Sequence, residues 1–177
     1  MFKAGEILIL TGTPGSGKTT TAQAIAALPG TPKVHLHSDD FWHFIKTGAI
    51  PPYLPEAHGQ NAVVMGVLAR AAESYATGGY FVIVDGIIGP WFLAPFRTLL
   101  SPLHYIVLRP DLADALQRCR ERGGNTLSDP DPITALHEQF GDLGELADHV
   151  LLTDGQSRDD TREAVARAVQ DGAYLLT

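Results

Sequence analysis

Two kinds of hydrophobic pattern alternate along the chain. Five short apolar runs, Ile7–Leu10, Lys33–His37, Tyr80–Val84, Leu103–Leu108 and His149–Leu152, are separated by longer stretches with helical spacing. Three of them contain ILIL, FVIV and YIVL and are nearly continuous rather than alternating. That is how strands covered on both faces of a parallel sheet read. Between them, Thr19–Leu28 is Ala-rich and stops at Pro29-Gly30, and Gly59–Thr77 is apolar-periodic and stops at Gly78-Gly79. A run headed by Asp111 and Asp114 closes at Gly123-Gly124, Pro132 opens another helix after Asp131, and Arg158–Gln170 precedes Gly172. Acidic or hydroxyl residues at starts and glycine at ends follow the asymmetry of helix caps. The expected fold is therefore α/β, a doubly wound five-stranded parallel sheet with right-handed crossovers. With no repeat, low-complexity tract or linker, residues 1–177 are expected to form a single domain.

Two stretches break the periodicity, Gly48–His58 with Pro51, Pro52 and Pro55, and Gly123–Asp131. Loops of that length inside a compact fold are more often functional than idle. Ligands of open α/β sheets bind beyond the carboxyl ends of the strands, so the segments that follow each strand carry the chemistry. Directly after the first strand stands Gly12-Thr13-Pro14-Gly15-Ser16-Gly17-Lys18-Thr19, which fits G-x-x-x-x-G-K-[ST] at every fixed position. Glycines there turn backbone N–H groups inward around phosphate oxygens, and the following helix adds its positive end. Lys18 is expected to reach the outer phosphates, the Thr19 hydroxyl to ligate Mg²⁺, and Thr20 to lie in the same first helical turn. ATP with Mg²⁺ is thus the expected cofactor pair.

Composition adds exclusions. A formal net charge of -7 argues against a generally basic nucleic-acid binder. No apolar run approaches the roughly 18 residues of a membrane span. Met1–Glu6 is a poor signal peptide, and Cys119 is the lone cysteine and reads as a packed helical thiol. The protein is expected to be cytoplasmic, a monomer or small homo-oligomer, without a nucleic-acid or membrane partner.

Other strand ends supply candidate partners for the phosphate loop. The third ends in Asp85-Gly86, and Asp85 is expected to support Mg²⁺ through water. No acidic residue follows it, unlike the Asp-Glu strand end of motor-like ATPases, and no N-K-x-D tetrapeptide marks a guanine-nucleotide switch. The second ends in Ser38-Asp39-Asp40-Phe41-Trp42, which places carboxylates where an attacking hydroxyl would lose its proton. One aspartate of the pair is read as a base and the other as a helix cap. Between Ser38 and Tyr80 the only Lys or Arg residues are Lys46 and Arg70, whereas Phe41, Trp42, Tyr53, Trp91 and Phe92 are plentiful nearby. Aromatics with few cations suit a neutral, ring-bearing alcohol better than a phosphate monoester. Asp40, Phe41, Trp42, Trp91 and the isolated cation Arg97 are the candidate acceptor contacts. Arg118 and Arg122 share a helix face while Arg120 points elsewhere, and with the Gly-rich segment after them they suggest a lid over residues 118–131. Arg118 is assigned to the nucleotide, and Arg120 or Arg122 to the charge of the transferring phosphoryl group. His35 and His37 alternate on one strand face and are read as packing residues.

Taken together, these residues resemble the P-loop small-molecule kinases. Gly12–Thr19 matches the whole superfamily. Ser38-Asp39-Asp40-Phe41 is similar to the second-strand segment of uridine and nicotinamide riboside kinases, which implies Asp39 as the catalytic base. Asp85-Gly86 is similar to the strand end of adenylate-type and gluconate-type kinases, and chloramphenicol phosphotransferase is a comparable single-domain relative. The resemblance implies a nucleoside-monophosphate-kinase-like fold with strand order 2-3-1-4-5, and adenine near Thr153–Ser157. It implies transfer of the γ-phosphate of Mg·ATP to a hydroxyl of a small acceptor. The alternatives are a cytidylate- or adenylate-like monophosphate kinase and a non-catalytic nucleotide-binding switch.

Overall fold

The continuous apolar runs become strands with no solvent-facing side. Ile7 to Leu10 and Phe81 to Val84 have no exposure at all. The computed structural model describes residues 1–122 and 129–176. Among the described residues, β1 (Ile7–Gly12), β2 (Lys33–His37), β3 (Phe81–Asp85), β4 (Leu103–Arg109) and β5 (Val150–Leu152) form one sheet in the order β2-β3-β1-β4-β5. Every neighbouring pair is parallel, so the expected topology holds. The helices are α1 (Lys18–Ala26), α2 (Ser38–His43), α3 (His58–Thr77), α4 (Leu112–Arg122), α5 (Pro130–Gln139) and α6 (Arg158–Asp171).

Alternation along each strand divides the core into two layers. Ile7, Ile9, Val82, Val84 and Tyr105 pack with Val64, Met65 and Leu68 of α3 and with Phe140. Leu8, Leu10, Ile83, Ile106 and Leu108 face Ala22 and Ile25 of α1 and Val165 and Val169 of α6. Because both layers close on β1, the strand end that carries the phosphate loop emerges from the middle of the core.

Three local departures from the sequence expectation matter. β3 runs to Asp85, whose register partners are Leu10 of β1 and His37 of β2. Residues 38–43, expected as an extension of a strand end, form α2, with both Asp39 and Asp40 in its first turn. The residue before that helix is His37 and no side chain caps it, so neither aspartate is a cap. Their charges instead favour the positive helix end directly. α5 starts at Pro130 and is capped by Asp129, which accepts from the Asp131 backbone N–H at 3.1 Å. The expected start at Pro132 came two residues late, since prolines are tolerated throughout a first turn that lacks acceptors for its N–H groups.

β5 covers only Val107–Arg109 of β4. The remaining edge of β4 is covered by the C-terminal segment. Tyr105 N–H donates to Tyr174 O at 2.9 Å and Leu176 N–H to Leu103 O at 2.8 Å. Beside that closure His104 is 1% exposed, with Nε2 3.2 Å from Glu6 Oε2 and Nδ1 buried without a partner. Burial holds the imidazole below its ordinary pKa, against the pull of Glu6. Above the unfolded value near 6.5 both states are neutral at this ring. As pH falls below it, the unfolded chain takes up a proton that the folded chain resists, and stability is lost. Thermal midpoints measured between pH 8 and 5 should therefore decline on the acid side, and His104→Gln should flatten that part of the decline.

Candidate active site

The phosphate loop is built by close backbone approaches that only glycine permits. Gly15 has φ +80°, and a Cβ on it would collide with the Ala115 carbonyl of α4. Gly17 (φ +87°) opens α1 with no side-chain cap, so the first N–H groups of the helix face outward for a ligand. Thr13 Oγ1 and Ser16 Oγ are buried and have no hydrogen-bond partner. Unpartnered buried hydroxyls are costly unless a ligand satisfies them, and phosphate oxygens fit that need. Pro14 is buried in the turn between them. Lys18 Nζ donates to Thr13 O at 3.3 Å, folding back over the loop. Burial pushes its pKa below the ordinary lysine value, with Asp85 and Asp39 pulling the other way.

Asp85 is the hub of the polar network. It is fully buried, and Thr19 Oγ1 donates to its Oδ2 at 2.6 Å. Its Oδ1 lies 2.6 Å from His35 Nε2 and 3.0 Å from His37 Nδ1. Burial alone would raise the carboxyl pKa, but the bonds from His35, His37 and Thr19 outweigh it and hold Asp85 well below the usual carboxylate range. The two histidines are thus not packing residues, as their spacing suggested. They occupy the same sheet face as Asp85 because His37 and Asp85 are direct register partners and His35 is two residues earlier. Removing the acceptor strands three donors. Asp85→Ala is expected to cost about 3–5 kcal/mol of stability, readable as a lower urea midpoint, whereas Asp85→Asn should lose less because one acceptor oxygen remains.

His37 also links Asp85 to α2, since its Nε2 stands 3.6 Å from Asp39 Oδ2. The Asp85 hydrogen bond first, and then the negative charges of Asp85, Asp39 and Asp40, raise the imidazole pKa against burial. Asp39 is 62% exposed at its side chain and close enough to Lys18 to raise that residue's pKa. Ser38 is buried under the strand end, and a Cβ at Gly86 would collide with its hydroxyl. The Asp-Gly pair therefore has a steric reason: Gly86 lets α2 begin directly against β3.

A cavity of about 510 Å³ opens on the other side of the phosphate loop. Its lining includes Gly15, Gly17 and Thr20 from the loop and α1, Arg118 and Arg122 from α4, and Gln156, Ser157 and Arg158 where α6 begins. Ser157 and Asp160 form a reciprocal capping box there, which fixes that wall. Arg118 and Arg122, one turn apart on α4, both line the cavity. Arg120, two residues from each, is exposed and does not line it. Arg158 contributes a cation that the sequence reading passed over, because it resembled ordinary helix-start charge. Of the expected lid, residues 123–128 lie outside the described residues. Cys119 is buried on α4, as expected, and burial raises its thiol pKa.

The acceptor candidates divide. Trp42 lies one turn from Asp39 on α2, with its ring 6.4 Å from Phe92, and Trp91 packs against Phe92 and Phe140 at 6.3 and 5.7 Å. Phe41 is partly buried edge-on to Phe44, and Asp40 is exposed. Arg97 is elsewhere: it lines a second cavity with Leu100, Leu103 and Leu176 at the amino end of β4, opposite the phosphate loop. Its assignment to the acceptor is therefore corrected. Lys46 donates to His43 O at 2.8 Å, and Arg70 lies against Gly66 on α3.

Thr19 and Asp85 present the hard oxygen ligands that suit Mg²⁺, which takes one or two protein groups and completes its shell with phosphates and water. Among the described residues no cluster of three or more His, Cys, Asp or Glu side chains is arranged to hold a metal alone. No helix of the described residues is long and apolar enough to cross a membrane.

Residues 8–130 match the family model described as AAA domain. No curated protein matches the sequence. Among solved structures, a sugar kinase from Janibacter sp. superposes with a TM-score of 0.67 at 20% identity, covering 93% of this chain and 94% of that one. A shikimate kinase from Acinetobacter baumannii gives 0.64 at 20% identity, with 94% of each chain covered. Thymidylate kinase from Candida albicans gives 0.72 at 14% identity, covering 100% of this chain and 97% of that one. At these identities the likeness establishes a shared P-loop fold.

Proposed function

The chain belongs to the AAA-domain family, and from that premise we propose that it is an ATP-dependent phosphotransferase. It moves the γ-phosphate of Mg·ATP to a hydroxyl of a small, ring-bearing acceptor. One observation carries the reading: the exposed Asp39 carboxylate stands 3.6 Å from His37 Nε2, and His37 in turn bonds Asp85, the partner of the phosphate-loop Thr19. A hydrolase needs a positioned water in that place, but the β3 end offers Gly86 where motor-like ATPases carry a glutamate. The names of the sugar kinase and the shikimate kinase sharing the fold support a hydroxyl acceptor.

In this mechanism the Gly12–Thr19 backbone and the Thr13 and Ser16 hydroxyls hold the phosphates, and Thr19 and Asp85 would hold the metal. When bound, Mg²⁺ supplies charge neutralisation at the transferring phosphates. Lys18 and Arg122 add fixed positive charge there, and Arg118, Arg158, Gln156 and Ser157 shape the nucleoside side. Asp39 takes the proton of the acceptor hydroxyl. The acceptor oxygen forms its bond to the γ-phosphorus as the bond to the ADP oxygen breaks. With ammonium and guanidinium groups preset around a partly dry site, the developing charge meets dipoles that need no reorganisation.

The reading as a monophosphate kinase is weaker, because an ionised acceptor needs cationic clamps. Lys46 is bonded to the His43 carbonyl, and Arg97 lies at the opposite edge of the sheet. The test is acceptor-dependent ADP release from Mg·ATP across nucleosides, sugars, aromatic antibiotics and nucleoside monophosphates. Release with a hydroxyl class is the expected result. Release confined to CMP, UMP or AMP would favour the monophosphate kinase, and nucleotide binding without any transfer would favour a switch.

A further inference from the structure

The acceptor side owes its shape to two consecutive amides on α3. Gln60 grips the backbone of Ile50 at both polar atoms, accepting from its N–H at 2.8 Å and donating to its carbonyl at 2.7 Å. Asn61 is 5% exposed and uses both ends of its side chain. Its Nδ2 donates to Pro52 O at 2.7 Å, and its Oδ1 accepts from the Trp42 indole N–H at 2.9 Å. The proline-bearing segment before α3 and the tryptophan of α2 therefore hang from one buried amide.

A buried asparagine is usually just a satisfied polar group. Here its partner decides otherwise. Trp42 is only partly buried, so its packing alone leaves the ring rotamer freedom that a bond at the indole N–H removes. Bonded to Asn61, the ring is fixed one helical turn from Asp39 and against Phe92. Lys46 is bonded to the His43 carbonyl and Arg97 lies at the other edge of the sheet, so the aromatic rings dominate this wall.

We infer that Asn61 is a positioning residue that locks Trp42 into a preformed aromatic wall beside Asp39. The acceptor is then a neutral ring-bearing alcohol, selected by the face of a fixed indole. This rests on the phosphotransferase reading and adds how that site chooses its substrate. Preorganisation of this kind raises affinity by removing an ordering cost at binding, so its loss shows in acceptor KM more than in kcat.

The experiment compares steady-state kinetics of the wild-type protein, Asn61→Ala, Asn61→Asp, Trp42→Phe and the double variant Asn61→Ala/Trp42→Phe. The probes are uridine, glucose and chloramphenicol as neutral ring alcohols, with glycerol and CMP as linear and charged controls. Asn61→Ala should raise KM for the ring acceptor by about tenfold, the worth of one lost hydrogen bond, with kcat and the KM for ATP nearly unchanged. Asn61→Asp keeps an acceptor oxygen for the indole but turns a carboxylate oxygen toward the Pro52 carbonyl, so it should recover only part of the loss. The double variant should be no worse than the poorer single one, because both changes break the same bond. Tryptophan emission should shift in Asn61→Ala, which releases the indole N–H. Additive effects, or equal falls in kcat, ATP affinity and thermal midpoint, would reduce Asn61 to a structural role and overturn the inference. Wild-type transfer to glycerol or CMP alone would overturn it while leaving phosphotransfer standing. Transfer to none of the probes, with ATP still bound, would remove both.

Discussion

Lys18→Ala should lower phosphoryl transfer by about a thousandfold, the scale of losing a preset donor at a developing charge. The same change should leave the fold intact. Among the described residues Lys18 Nζ bonds only to the Thr13 carbonyl, at 3.3 Å, and burial depresses its pKa. An ammonium in that state is held partly desolvated for a task other than stability. Thermal midpoints of the variant and the parent should agree, or the variant should be slightly higher, while nucleotide affinity and turnover collapse together. A large fall in the midpoint with activity retained would mean that the lysine braces the loop and plays no part in transfer.

Asp39→Asn is the second large effect. A positioned general base contributes about 10²–10⁴-fold to rate, and Asn61, Trp42 and the phosphate loop are untouched by the change. The expected result is a fall of that size in kcat with ATP affinity preserved, since the proposed role of Asp39 is at the acceptor hydroxyl and its side chain is mostly exposed. Asp40→Asn should leave the rate nearly unchanged. Asp40 is exposed, and Lys18 senses Asp39 but not Asp40. Equal losses in the two variants would mean that the charge of the α2 turn matters and no single carboxylate acts as base.

The parts legible in the sequence are those where local chemistry and long-range geometry agree. Continuous apolar runs gave away buried parallel strands, and the glycines and Lys-Thr pair of the phosphate loop gave away the strand, loop and helix around it. The Asp85 network was legible only in part, because His35, His37 and Asp85 meet across a strand pairing separated by about fifty residues. A β-register links residues that no spacing rule along the chain can connect, so an HxH segment on one strand and a terminal aspartate on another look independent. The Asp pair hinted at a helix to cap, but the start of α2 was not legible, because six residues are too few to show a helical period. The separation of Arg120 from Arg118 and Arg122, about 200° around a helix, was legible in the spacing, whereas Arg97 was grouped with the acceptor although it follows β3 only in sequence. Asn61 offered no signal at all: its role exists only once α3 has been laid against α2 and the loop before it.

The most direct measurement of the central claim follows labelled γ-phosphate from Mg·ATP with the wild-type protein and a hydroxyl acceptor, and locates the label by phosphorus NMR. The account predicts a phosphate monoester on the acceptor oxygen, formed in step with ADP and reduced by about 10²–10⁴-fold in Asp39→Asn. Label appearing as inorganic phosphate at the same rate with and without any acceptor would contradict it, and would make the protein a nucleotide hydrolase.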